Sequence, residues 1–152
     1  MHEGMDPNNQ LVALADTAEL WRESLSSLTQ PELYFRSTWE LEGDVNNGGF
    51  CQYFYNSSGD TAFIVLEALD AIDAHQCAAI VKRALSVFPS GLVPQDRGHR
   101  EILLDRLPEA VLEPLEGLDQ EFFVYPDNLT VLLHRYVTEN RHLIRCAHEV
   151  GI

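Results

Sequence analysis

The chain has 152 residues, of which 24 are acidic and 10 are Lys or Arg, so its formal net charge is −14. A field of this sign repels nucleic acid and anionic lipid and attracts basic proteins. The length is typical of one domain, and the sequence contains no run of about 18 apolar residues that could span a membrane. We therefore expect a single domain over residues 1–152 that binds neither nucleic acid nor membrane directly.

The first residues show no basic segment followed by an apolar one, which predicts that there is no signal peptide. The three cysteines, Cys51, Cys77 and Cys146, are an odd number and lack the spacing of a metal site. Cys51 and Cys77 have apolar neighbours and are predicted to be small core residues. This cysteine usage is typical of a reduced, cytoplasmic protein.

Apolar residues recur at intervals of three and four along most of the chain, and no segment alternates over the length of a strand. The spacing predicts a first helix over residues 9–28. Thr29 and Glu32 form a capping box that begins a second helix, which extends to Val45. Further helices are predicted at 58–72, 77–88 and 99–107, as short turns at 109–123, and from 129 through 140 towards the end of the chain. The fold class is therefore all-α, a compact domain of seven or eight helices.

Residues 46–59 combine turn-forming residues with four aromatic rings. Gly48 and Gly49 allow a tight bend, and Phe50, Tyr53 and Phe54 fall on one face of a short helix. Asn46 or Asn47 could cap that helix, and Gly59 could adopt the left-handed conformation after its end. One interpretation is an aromatic helix held in the core between two turns. The other is a small-molecule site formed by the amide side chains, which are Asn46, Asn47, Gln52 and Asn56.

The acidic residues are unevenly distributed. No Lys or Arg occurs in residues 37–81 or in residues 107–134, although both segments are rich in carboxylates. Arginines gather at 97–106 and 135–145, where they would interrupt a continuous negative face. If the helix continues past Pro108, the acids at 101, 105, 109 and 113 form one ridge. The candidate partner-binding residues are Glu40, Glu42, Asp44, Asp60, Glu67, Asp70, Glu101, Asp105, Glu109, Glu113, Glu116 and Asp119.

The sequence offers little support for catalysis or for a cofactor. No cysteine-nucleophile signature surrounds Cys51, and no phosphate-binding glycine loop is present. His142 and Cys146 are spaced as a fragment of a zinc site, but a second pair of ligands is missing. We therefore expect a non-enzymatic protein without a metal or cofactor.

The stretch from Asn46 to Gly59 resembles the signature of an uncharacterised bacterial all-helical family whose best-known member is a DNA-mimic protein. The signature positions are Asn47, Gly48, Gly49, Phe50, Gln52, Phe54, Asn56 and Gly59. The resemblance extends over about residues 30–140 and implies an all-α fold. For the mimic, it implies a dimer whose DNA-like negative surface occupies a transcription regulator.

The leading hypothesis is an acidic binding protein that mimics DNA and occupies a basic DNA-binding protein or transcription regulator, with a homodimer as a further expectation. One alternative is an immunity- or antitoxin-like protein that neutralises a basic toxin. The other is the small-molecule site at Asn46, Asn47, Gln52 and Asn56.

Overall fold

A computed structural model of the protein describes residues 6–17, 19–22 and 24–152. These residues form α-helices and 3-10 turns and contain no β-strand, which confirms the all-α prediction. Seven of the described α-helices are at least seven residues long. The α-helices are α1 (Pro7–Ala15), α2 (Glu19–Arg22), α3 (Gln30–Tyr55), α4 (Val65–Ala71), α5 (His75–Leu85), α6 (Arg97–Arg106), α7 (Glu109–Leu112), α8 (Pro114–Phe123) and α9 (Leu129–Glu139).

Helix α3 is the centre of the fold and packs against α4, α6, α8, α9 and the 3-10 turn Ser57–Ile64. Its first turn carries the predicted capping box. The Glu32 backbone N–H donates to Thr29 Oγ1 at 3.3 Å, and the Thr29 backbone N–H donates to Glu32 Oε1 at 2.9 Å. Two otherwise unpaired backbone donors are thereby satisfied at the start of the longest helix.

The aromatic face of α3 lies in the hydrophobic core. Phe50, Tyr53 and Phe54 are fully buried. The Phe54 ring meets the edge of Phe88 at a centroid distance of 5.0 Å, and Phe50 meets Phe122 at 5.9 Å. Burying one such side chain contributes about 1.5–3 kcal/mol. The aromatic spacing is thus a core pattern, and it links α3 to the end of α5 and to α8.

The predicted helix over residues 9–28 is wrong. Helix α1 ends at Ala15, where both the backbone N–H and the hydroxyl of Thr17 donate to the Leu14 carbonyl. The Trp21 indole N–H then donates to the Ala15 carbonyl, so α2 folds back onto the end of α1. The helical spacing nonetheless identified buried positions, because Leu11 and Leu14 are inaccessible to solvent. Residues 18 and 23 lie outside the described residues.

The last helix also ends earlier than the periodicity suggests. Helix α9 stops at Glu139, and the chain continues through the 3-10 turns Arg141–Leu143 and His148–Val150. This path brings Arg145 to the buried carboxylate of Glu32, which accepts the Arg145 backbone N–H at 2.9 Å and its Nε at 3.0 Å. A tertiary ion pair therefore replaces further helical hydrogen bonds.

Other local predictions are corrected by the structure. Gly59 does not adopt a positive φ; it is instead a close-packing glycine, since a Cβ there would lie 2.7 Å from the Tyr53 carbonyl oxygen. Cys51 is exposed rather than buried, whereas Cys77 is buried as predicted. Helix α8 runs through Gly117 without a break, whereas the sequence predicted that Pro114 and Gly117 would divide residues 109–123 into short turns.

Candidate partner-binding site

Helix α3 is interrupted at one residue, Gly49, which has φ 80° and ψ −178°. Only glycine adopts this conformation readily. The break leaves the Phe50 backbone N–H without a helical acceptor, and that N–H donates to Asp119 Oδ1 at 2.8 Å. Asp119 of α8 therefore supplies the cap that the sequence assigned to Asn46 or Asn47. Its carboxylate is used inside the fold, although it was predicted to face a partner.

The amide side chains around this break contact the chain itself. Asn46 Nδ2 donates to the Tyr125 hydroxyl, and Asn47 Nδ2 donates to Gln52 Oε1 at 3.4 Å. Gln52 Nε2 in turn donates to Asp44 Oδ1 at 2.8 Å. These bonds tie α3 to itself and to the loop before α9. They give the amide side chains of Asn46, Asn47 and Gln52 a structural role.

Arg100 is the largest fully buried side chain and satisfies all five of its N–H donors. It donates to Asp60 Oδ1 at 2.7 Å and to four backbone carbonyls, those of Phe54, Asn56, Pro94 and Gln95. The ion pair with Arg100 neutralises the charge of Asp60. Because Arg100 is buried, this part of the 97–106 cluster does not interrupt a negative surface, which corrects the expectation from sequence.

The predicted carboxylates of α3 are mostly directed into the protein. Glu40 pairs with Arg36 Nε at 3.2 Å and accepts the Thr61 hydroxyl at 3.2 Å. Burial raises the pKa of Glu40 to about 7, and the nearby Arg36 only partly opposes that rise. Burial likewise raises the pKa of Glu42, against a hydrogen bond with Tyr125 that lowers it.

A second group of predicted carboxylates is more accessible but already has a partner in the chain. Glu67 accepts the Tyr34 hydroxyl at 3.2 Å, and Asp105 accepts the Tyr55 hydroxyl at 2.7 Å. Two more contact basic side chains: Asp70 lies 3.1 Å from His75 Nδ1, and Glu101 lies 3.3 Å from Arg97 Nε. These four carboxylates remain at the surface, but each already contacts a side chain of the same protein.

Glu109, Glu113 and Glu116 differ from all the others. All three are exposed, and none forms an ion pair or a side-chain hydrogen bond with any described residue. They lie on α7, at the joint between α7 and α8, and in the first turn of α8. Since Glu113 keeps helical φ and ψ values, the three side chains follow one another at helical spacing of four and three residues.

The longer acidic ridge does not form. The backbone is extended at Leu107 and Pro108, with ψ values of 136° and 147°. Proline disfavours helical geometry in the residue before it, so α6 ends at Arg106. Glu101 and Asp105 consequently belong to a different helix from Glu109 and Glu113. The structure retains only the second half of the predicted row.

Many of the basic side chains are neutralised by carboxylates of the same chain. Among the described residues, six arginines form ion pairs, which join Arg36 to Glu40, Arg83 to Glu121, Arg97 to Glu101, Arg100 to Asp60, Arg135 to Asp73 and Arg145 to Glu32. None of these pairs involves Glu109, Glu113 or Glu116. We call these three residues the α7–α8 acidic row.

The structure also shows a carboxylate that the charge pattern did not single out. Glu32 is buried beside Arg145, and although burial favours the protonated acid, hydrogen bonds from Arg145 and Thr29 lower its pKa overall. In the sequence, only the capping box indicated a role for Glu32.

Among the described residues, no group of three His, Cys, Asp or Glu side chains is arranged to hold a metal ion. None of the described helices has both the length and the apolar character needed to cross a bilayer.

A sequence model of one protein family, described as DMP19-like protein, matches residues 26–140. This range holds the central helix, the Gly49 break, Arg100 and the α7–α8 acidic row. The chain belongs to the DMP19-like protein family. Neither the curated proteins nor the solved structures contain a match to it.

Proposed function

We propose that this DMP19-like protein is a non-enzymatic acidic binding protein that imitates DNA and occupies a basic DNA-binding protein or transcription regulator. The observation that supports this proposal is the α7–α8 acidic row, in which Glu109, Glu113 and Glu116 are exposed and form no ion pair with a described residue. The surrounding protein has a formal net charge of −14, which extends the attraction for a basic partner beyond the contact itself.

The row carries an energetic cost in the isolated protein. Like charges at a spacing of four residues on a helix are destabilising by roughly 0.2–0.5 kcal/mol per pair. Elsewhere in the chain, arginines neutralise carboxylates, whereas here no described cation does so. A basic partner would remove the repulsion, so this arrangement favours binding over the stability of the free protein.

The spacing of the charges sets a requirement on the complex. Seven residues of helix between Glu109 and Glu116 span about 10 Å, at about 1.5 Å per residue. Duplex DNA carries about six charges over that distance, at one per about 1.7 Å. One row supplies half of that number, so a DNA-like surface requires a second row. A second copy of the chain would supply it, which is why a homodimer belongs to the proposal.

A displacement experiment tests the proposal. Proteins of the source cell are bound to DNA-cellulose at low salt, and the purified protein is added in increasing amounts. We expect it to release one or a few basic DNA-binding proteins, which then form a complex that excludes DNA. Because the attraction is ionic, the release should weaken steeply as salt increases. If nothing is released at any salt concentration, the proposal is wrong.

Two variants separate the acidic row from the overall charge. Glu113→Gln with Glu116→Gln removes two charges from the row. Glu139→Gln with Glu149→Gln removes two exposed charges that lie outside it and form no ion pair with the part of the chain that the structure describes. Both variants have the same net charge. We expect the first to lose displacement and the second to retain it; equal loss in both would show that only the total charge matters.

The antitoxin-like alternative predicts a different partner. In that case the protein would capture one basic toxin that has no affinity for DNA-cellulose, and no DNA-binding protein would be displaced. The identity of the bound protein therefore distinguishes the two functions.

A further inference from the structure

Two shallow clefts meet in the middle of α3. One has a volume of about 380 Å³ and is lined by Asp16, Trp21, Glu40 and Asp44, among others. The other has a volume of about 370 Å³, and its lining includes Glu42 and Tyr125. Both clefts share Trp39 and Gly43, so these two residues form the common floor. We call the two clefts together the Trp39 groove.

The chemistry of the Trp39 groove is suited to an organic cation. Four carboxylates line it, and no Lys or Arg occurs among the described residues that form its walls. Indole and phenol rings stand beside those carboxylates, and aromatic faces attract cations. A carboxylate next to an aromatic face recognises a guanidinium group better than an ammonium, because the guanidinium is planar and can stack as well as donate hydrogen bonds.

Gly43 is the second observation. A glycine in a helix interior is destabilising relative to alanine. At Gly48, Gly49 and Gly59, a Cβ would collide with other parts of the chain, whereas a Cβ at Gly43 would meet nothing within 4 Å. No packing inside the described fold therefore requires a glycine at position 43. Its missing side chain keeps the floor of the groove open to a group from outside.

The third observation is an exposed carboxylate that has no partner among the described residues. Asp16 lines the groove, is exposed, and forms no ion pair or side-chain hydrogen bond with any of them. The other three groove carboxylates already accept hydrogen bonds from the chain. A cation in the groove would therefore meet a negative charge at Asp16 that no described residue neutralises.

The chain already shows how a guanidinium binds at this wall. Arg36 places its guanidinium carbon 5.1 Å from the centre of the Trp21 ring, and its Nε donates to Glu40 at 3.2 Å. An aromatic face and a carboxylate thus hold one arginine from within the protein. Trp39 with Asp16, which lines the same cleft, offers the same combination to an arginine from outside.

We propose that the Trp39 groove receives the guanidinium group of an arginine side chain presented by the basic partner. This inference rests on the proposed function, since it names a residue type of that partner. Both clefts are open rather than enclosed, so they would leave a free small molecule largely exposed to water. An arginine held by a larger protein obtains the rest of its binding energy from the surrounding contacts.

Tryptophan fluorescence gives a direct test, because the chain has two tryptophans and both line the groove. The probe is the capped tripeptide acetyl-Gly-Arg-Gly-amide. Its controls are acetyl-Gly-citrulline-Gly-amide, which has the same shape without the charge, and acetyl-Gly-Lys-Gly-amide, which has the charge without the planar group. We expect saturable binding of the arginine peptide, about tenfold tighter than either control. Equal binding of the citrulline peptide would overturn the proposal.

Two alanine variants form a matched pair. Gly43→Ala places a methyl group in the groove, and Gly117→Ala places one in the middle of α8, where a Cβ also meets nothing. Both should keep or increase thermal stability, because alanine is the better helix former. We expect Gly43→Ala to weaken the arginine peptide about tenfold and Gly117→Ala to leave it unchanged. Unchanged binding to Gly43→Ala would exclude the groove.

The peptide titration and the DNA-cellulose experiment test the groove proposal and the proposed function separately. Glu113→Gln with Glu116→Gln should bind the peptide normally while losing displacement, since the acidic row lies on other helices. If wild-type protein displaces DNA-binding proteins but does not bind the arginine peptide, the groove proposal is wrong and the proposed function remains. If it binds the peptide but displaces nothing, the proposed function is wrong, and with it the assignment of the arginine to a DNA-binding partner.

Discussion

The carboxylates of α3 and the turn after it differ in use from those at the junction of α7 and α8. In the first region, the buried Glu32 pairs with Arg145, Asp60 pairs with the buried Arg100, and Glu40 pairs with Arg36. In the second region, Glu113 and Glu116 are exposed and have no partner among the described residues. Two acidic stretches of sequence are therefore used differently. Most carboxylates of the first form bonds within the tertiary structure, and those of the second leave negative charge at the surface.

This difference shows why net charge alone does not define a binding surface. Carboxylates such as Glu40 and Asp60 are neutralised by ion pairs within the fold, so they add little to the negative field that a partner meets. Asp119 marks the boundary between the two uses, because it belongs to α8 but caps the Phe50 N–H of α3. The relevant quantity is the set of carboxylates that remain exposed and unpaired after folding.

The largest effect is expected from Arg100→Ala. The substitution leaves four backbone carbonyls, of which the Phe54 carbonyl is buried, and the Asp60 carboxylate without their donor. Breaking a buried charge pair costs about 3–5 kcal/mol, which should appear in urea denaturation as a lower midpoint or as failure to fold. Arg97→Ala is the matched control, because its exposed pair with Glu101 contributes at most about 1 kcal/mol. Similar losses in both variants would contradict the assigned difference.

Gly49→Ala is expected to have the next largest effect. It forces a side chain to φ 80° and brings a Cβ into contact with the Asp119 carboxylate. We expect a loss of about 1–3 kcal/mol in the free energy of unfolding, measured in urea. Gly117→Ala in the open middle of α8 should instead be neutral or stabilise by up to about 1 kcal/mol. A neutral Gly49→Ala would mean that the break in α3 is not required.

Glu40→Gln is expected to change the dependence of stability on pH. Folding raises the pKa of Glu40 to about 7, so the folded state keeps this proton to a higher pH than the unfolded chain. The stability from this group is complete below about pH 4.5 and is lost as the pH rises through about 7. Compared with the wild type, the variant should therefore gain stability between about pH 5 and about pH 8. Parallel curves in urea titrations at several pH values would refute the assignment.

The smallest effect is expected from Glu113→Gln with Glu116→Gln. Neither side chain has an ion pair or a hydrogen bond with a described residue to lose, and the change removes a repulsion, so the free energy of unfolding should change by no more than about 0.5 kcal/mol. Thermal or urea unfolding of the variant measures this directly. A loss comparable to that of Arg100→Ala would show that the row is structural, and it would remove the support for a binding surface.

Much of the fold could be predicted from local patterns. The capping box at Thr29 and Glu32, the buried face of Phe50 and Phe54, and the helix that begins after Asn128 all appear in the structure. These features depend on residues within one or two helical turns of each other. The predicted helix over 9–28 was wrong because helical spacing identifies buried positions and does not show where the chain folds back.

The candidate site was predicted less completely. All three members of the α7–α8 acidic row were among the twelve carboxylates singled out, but so were Asp60 and Asp119, whose carboxylates are used within the fold. No local sequence pattern predicted the Trp39 groove, because its walls include residues of α1, α2, α3 and the loop before α9. Nothing in the local spacing of Asp44 or Tyr125 indicates that they flank the same surface.

The sequence by itself determined the all-α class, the central aromatic helix and the surplus of negative charge, because each follows from composition or from short-range periodicity. Only the tertiary structure decided which carboxylates meet an arginine and which stay exposed. Arg100 reaches Asp60 across 40 residues, and Arg145 reaches Glu32 across 113. An ion pair depends on distances in space, and distances of that kind exist only after the helices have packed.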